Sequence, residues 1–203
     1  MKKMSILLVI FIIKSVFANI TFDEWYNSFR KIEKVHIKFE EKTFYKLLNR
    51  NASSKGDFYY LSPNKYKVIT ENSKILSDGK FIYNFDYSNK QIIIKNKSNY
   101  MNALELLLLD STFLSFYNVT ESKKLDKKKY EFVLTKTEDN SIAPFKTITI
   151  VINRKKQPIQ IDFVDNNETE TSIKIKKFDK NIKYDKYFFH YRRELGFEEI
   201  KMN

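Results

Sequence analysis

The chain contains no cysteine. That excludes disulfides, thiolate nucleophiles, cysteine-ligated zinc and any lipid attached through cysteine. Glycine is nearly missing as well: Gly56, Gly79 and Gly196 are too few and too scattered to build a phosphate-cradling loop or a dinucleotide fingerprint. The only histidines are His36 and His190. His36 lies in His36-Ile37-Lys38-Phe39-Glu40, which lacks the second histidine of a zinc helix, and there is no Gly-x-Ser-x-Gly elbow. Metal and cofactor are therefore not expected. An enzyme ranks behind a binding protein, with scattered carboxylates leaving a glycosidase pair open.

What the chain has in quantity is aromatic side chains. The 203 residues include 18 Phe and 13 Tyr, and 42% are apolar. This is enough to pack one substantial domain despite a charged fraction of 31%. The formal net charge is +12, but only five of the 37 basic residues are arginine, the residue favoured for specific phosphate and base recognition. Most of this charge reads as solvated surface. Attraction to anionic lipid headgroups or an acidic partner is the second reading, and an exported protein is not expected to meet nucleic acid.

Export is read from the first eighteen residues. Lys2 and Lys3 precede an apolar core from Ile6 to Ile13, and Val16-Phe17-Ala18 offers a small-residue cleavage site before Asn19. The apolar run is far shorter than the ~20 residues of a spanning helix. Cleavage after Ala18 leaves 185 of the 203 residues and removes three lysines, lowering the net charge from +12 to +9. The alternative is an uncleaved N-terminal anchor.

In Thr21-Phe22-Asp23-Glu24 the Thr and Glu have capping-box spacing, and Phe22, Trp25/Tyr26, Phe29 and Ile32 follow at helical intervals. This predicts an amphipathic helix of about thirteen residues ending near Lys34. From Val35 the period becomes two. Ile37/Phe39, Phe58-Tyr59-Tyr60, Tyr66 to Thr70, Phe81/Tyr83/Phe85, Tyr130/Phe132/Leu134, Ile148/Ile150/Ile152, Ile159/Ile161/Phe163 and Ile173/Ile175 are separated by turn-forming clusters. The pattern predicts a mainly β chain, a curved antiparallel sheet of roughly nine to eleven strands forming an open or half β-barrel. Each strand should have one apolar and one polar face, with His36 facing solvent beside Lys38 and Glu40. Residues 99–116 are too leucine-rich and unbranched for a strand and predict two short helices, one beginning at Asn102 and one after Asp110-Ser111. No linker or repeat divides the chain, so residues 19–203 read as a single domain. So few helices cover little of so large an apolar face. Either the interior is left hollow, as in barrels that hold ligands, or the chain's own rings fill it.

The segments Gly56 to Val68, with their proline-centred turn Ser62-Pro63-Asn64, and Leu76 to Asp86, with the Ser77-Asp78-Gly79-Lys80 hairpin and its aromatic pair, resemble the periplasmic outer-membrane lipoprotein carrier family (LolA-like). The likeness continues through Gln91, the leucine-rich helix, Tyr117-Asn118-Val119, Glu131 to Leu134 and Ile159 to Asp165, and fades toward Phe188 to Gly196. It implies a periplasmic, monomeric chaperone: an open barrel closed by helices, whose apolar hollow shields the acyl chains of lipoproteins. Its partners would be acylated lipoproteins, an inner-membrane ABC exporter that loads them and an outer-membrane acceptor. The resemblance assigns a lipid cavity to Tyr60, Tyr66, Val68, Phe81, Tyr83, Phe85, Leu104, Leu107, Leu108 and Leu114, and exporter docking to Tyr66. Lid control falls to Ser62, which stands where the family commonly has Arg, so a lid held by apolar contact is expected. The family's proline is also missing at Lys136. Two other readings stay open: a related half-barrel that senses or binds lipid or lipoprotein, and a secreted binding module without carrier activity.

Overall fold

The computed structural model describes residues 20–96, 116–138 and 143–202. The capping box forms as expected: the Glu24 amide donates to the Thr21 hydroxyl (3.2 Å) and the Thr21 amide to the Glu24 carboxylate (3.4 Å). The helix it starts, α1 (Phe22–Phe29), ends at Arg30 rather than near Lys34. It stops early because Lys34 already pairs with Leu61 as the first residue of β1 (Lys34–Tyr45).

Twelve strands follow among the described residues, one more than the upper end of the expected range. They are β1, β2 (Arg50–Leu61), β3 (Lys65–Thr70), β4 (Ser73–Asp78), β5 (Phe81–Asp86), β6 (Gln91–Asn96), β7 (Tyr117–Lys124), β8 (Lys129–Lys136), β9 (Phe145–Asn153), β10 (Pro158–Asp165), β11 (Glu170–Asp179) and β12 (Glu198–Met202). All belong to one sheet, in the order β12-β6-β5-β4-β3-β2-β1-β11-β10-β9-β8-β7. Two antiparallel meanders are joined where β1 pairs with β11, and the curved sheet stays open between its edges β7 and β12. The added strand breaks the antiparallel rule: β12 runs parallel to β6, with Ile200 opposite Ile93.

Among the described residues α1 is the single α-helix. The two expected lid helices, with Leu104, Leu107, Leu108 and Leu114, lie outside the described residues. The α1 rings Phe22, Trp25, Tyr26 and Phe29 are buried on the inner face over the β8–β11 half of the sheet. Trp25 stacks on Phe132 at 5.9 Å and donates from Nε1 to the Lys156 carbonyl at 3.1 Å, and Phe29 meets Phe178. This inner cluster continues into Val35, Ile37 and Phe39 of β1 and Phe58 and Tyr60 of β2.

The Phe39 ring crosses Gly56, its direct partner on β2. A Cβ on Gly56 would lie 2.7 Å from both that ring and the Ile69 carbonyl oxygen, so the close approach requires glycine here.

Candidate functional site

Directly opposed residues of an antiparallel pair project to the same side of a sheet, so the register sorts β2–β5 into two faces. On the inner face Tyr60 opposes Tyr66, Phe58 opposes Val68, Val68 opposes Ile75, Tyr66 opposes Ser77 and Ser77 opposes Ile82. The result is a contiguous aromatic and aliphatic wall. Its hydroxyl at Ser77 is turned away to the backbone, donating to the Asn64 carbonyl at 3.0 Å. Burial pushes the Tyr60 phenol above its ordinary range, partly offset by a hydrogen bond with Ser62. Farther along the inner face Glu41 is half-buried, and desolvation raises its carboxyl more than the Thr43 hydroxyl lowers it.

The outer face of the same strands is not the polar surface that the alternation predicts. Leu76 opposes Tyr83, Tyr83 opposes Ile94 and Phe85 opposes Ile92, giving a second apolar cluster closed by Phe189. Residues 180–197 cross this cluster as a strap. Tyr191 stacks on Tyr83 at 4.1 Å between centroids, Phe188 meets Tyr59 edge-on at 5.1 Å, and the Tyr184 hydroxyl donates to the Val35 carbonyl at 2.8 Å. Burial first, then the Asp78 carboxylate that accepts from its hydroxyl at 2.9 Å, pushes Tyr83 up to about 12. Tyr184 is pushed up to about 12, mainly by burial.

His36 lies under this strap and not in solvent. It is 7% exposed, stacks on Tyr59 at 4.4 Å, and places Nε2 2.5 Å from an Asp57 carboxylate oxygen. Beside it a cleft of about 370 Å³ is lined by Lys67, Lys74, Phe85, Phe188, Arg192 and Glu194 among others. Lys67 donates to the Phe188 carbonyl and Lys74 pairs with Glu194.

The six described cavity candidates therefore do not share a face. Tyr60, Tyr66 and Val68 stand together on the inner wall, with Phe58, Ile75 and Ile82 as their neighbours. Phe81, Tyr83 and Phe85 point to the opposite side, where the strap occupies them. This corrects the expectation of one cavity lined by all six: in Phe81-Ile82-Tyr83-Asn84-Phe85 both alternate sets carry apolar groups, and the aromatic set turned outward. Tyr66, assigned to docking, is 0% exposed and does not reach the surface. Ser62 is exposed in the β2–β3 turn. The strap itself carried a signal, since its aromatics Tyr184, Tyr187, Phe188, Phe189, Tyr191 and Phe197 require an apolar partner somewhere. Among the described residues no group of three or more His, Asp or Glu is placed to hold a metal ion.

A family model described as outer membrane lipoprotein carrier protein LolA matches residues 30–192. An outer-membrane lipoprotein carrier protein of Francisella philomiragia subsp. philomiragia is 28% identical over 199 residues, covering 93% of each chain. A protein of the same description from Francisella tularensis subsp. tularensis is 29% identical over 175 residues, covering 84% of this chain and 77% of that one. Among solved structures, an uncharacterized conserved protein from Thermus thermophilus superposes with a TM-score of 0.56 at 9% identity, covering 89% of this chain and 99% of that one, a likeness of fold. The family match begins after α1 and ends before β12.

Proposed function

The chain belongs to the outer-membrane lipoprotein carrier (LolA) family, and on that premise we propose that it carries acylated lipoproteins from the inner to the outer membrane with their acyl chains held against the inner wall of β2–β5. The family is one of periplasmic carriers and not of enzymes. The observation that carries the reading is the wall itself: Phe58, Tyr60, Tyr66, Val68, Ile75 and Ile82 form one register-matched, largely buried apolar layer on the α1 side of an open sheet. Acyl chains need such a surface. Each CH₂ left in water costs about 0.8 kcal/mol, so one chain of ~16 carbons costs roughly 12 kcal/mol.

In this reading a leader is removed after Ala18, and residues 19–203 act as a single carrier unit. An inner-membrane ABC exporter loads it and an outer-membrane acceptor unloads it. Leu104, Leu107, Leu108 and Leu114 close over the acyl chains, and Ser62 leaves that closure to apolar contact. Ser62→Arg would add a five-donor fork at the turn and slow cargo release several-fold in a transfer assay. Unchanged release would remove Ser62 from lid control.

The test of the carrier reading is depletion of the protein followed by membrane fractionation. Lipoproteins should accumulate in the inner membrane. A normal distribution between the two membranes would rule the carrier reading out.

A further inference from the structure

We infer that the β1–β2 hairpin tip, residues 45–50, is a membrane-contacting finger that seats Leu47 and Leu48 among the acyl chains of a bilayer bearing anionic headgroups. The tip is a short 3₁₀ turn, Lys46–Leu48, closed by Asn49 in the left-handed conformation at φ 45°. Leu47 is 81% exposed and Leu48 71%, side by side, with Tyr45 also exposed at the start of the turn. Among the described residues Leu195 is exposed still further, but it stands alone, whereas Leu47 and Leu48 are two adjacent free leucines at a hairpin end and form a small apolar patch.

The tip is unflanked on its β3 side, while on its other side β11 accompanies β1 as far as Phe44 opposite Glu170. β1 and β2 stay paired out to Tyr45 and Arg50, whereas β3 pairs with β2 only from Gly56 onward. On that side the hairpin runs six residues past its neighbour, roughly 20 Å at strand rise.

Size and charge decide the occupant. A convex turn of six residues cannot supply the ~800 Å² per partner of a stable protein interface, but entering a bilayer requires no complementary surface. Lys46 and Arg50 bracket the leucines. Glu168, on the adjacent β10–β11 turn, is shared between Lys46 and Lys146, and among the described residues Arg50 has no carboxylate partner. The apex is thus basic around an apolar point, with a tyrosine at the level where headgroup meets acyl chain.

This inference concerns the free protein and does not rest on the carrier reading. Cargo-free full-length protein is floated with vesicles of phosphatidylethanolamine and phosphatidylglycerol. The wild type is expected to float at low salt. The double variant Leu47→Gln, Leu48→Gln should lose roughly tenfold or more in partitioning with an unchanged circular dichroism spectrum. The pair Lys46→Gln, Arg50→Gln should lose roughly fivefold or more on the anionic vesicles, with little change on vesicles of phosphatidylcholine.

Wild-type protein that stays in solution would overturn the inference, as would a leucine variant that floats like the wild type. Leucine-dependent self-association without flotation would overturn it too, by assigning the tip to a second copy of this chain. Acyl-chain retention by wild-type preparations is a separate readout and bears on the carrier reading alone.

Discussion

At Gly56 a single hydrogen atom lets the Phe39 ring lie across β2, which places Phe39 on the inner face beside Phe58. Gly56→Ala puts a methyl group 2.7 Å from that ring and from a backbone oxygen. The expected loss is about 1–3 kcal/mol in urea denaturation, with the fold retained. A second prediction concerns alkaline pH. Tyr83 ionises at about 12 when folded against 10 as its ordinary value, so folding favours its neutral form. Its contribution is complete below pH 10 and is lost as pH rises toward 12, up to about 2–3 kcal/mol from this group. Tyr83→Phe should lower stability at pH 8 by about 1–2 kcal/mol and flatten the alkaline decline. Equal slopes for the two proteins in urea titrations across that range would contradict the assignment. Residue identity alone was a poor guide to face: Tyr66 and Tyr83 read alike in sequence, yet one is on the inner wall and the other lies beneath Tyr191.

Among elements, the strap is the part the periodicity did not disclose. Alternation works when one face of a strand meets water, and β2, β4 and β5 have apolar groups packed on both faces because residues 180–197 cover the second one. Those residues have little regular structure, so no period marks them. Only their aromatic content does. α1 was legible at its start because the Thr21–Glu24 capping box is local, and illegible at its end because pairing of Lys34 with Leu61 is not. The two meanders were legible from turn spacing, but the parallel β12–β6 pairing joins residues more than a hundred positions apart and has no local signature. Tyr191→Ala, which removes the ring stacked on Tyr83, should cost about 2 kcal/mol or more in unfolding free energy. Deleting residues 184–203 should leave a sheet that binds a hydrophobic dye through Tyr59, Leu76, Tyr83 and Phe85. A truncated protein with wild-type stability and no dye binding would show the strap to be dispensable.

At the scale of the molecule, the β2–β6 half of one curved sheet is apolar on both sides, and the two sides have different fates. The outer one is sealed by the chain's own C-terminal aromatics. The inner one is held by α1 over the β8–β11 half and carries the largely buried Phe58–Ile82 wall over the other, the side to which the carrier reading assigns acyl chains. The measurement that tests this most directly is site-specific photocrosslinking in cells, with a photoreactive residue placed at half-buried Val68 on the inner wall or at half-buried Phe81 on the outer face. The account predicts adducts with acylated lipoproteins from position 68 and none from position 81. Adducts from position 81 alone would contradict it.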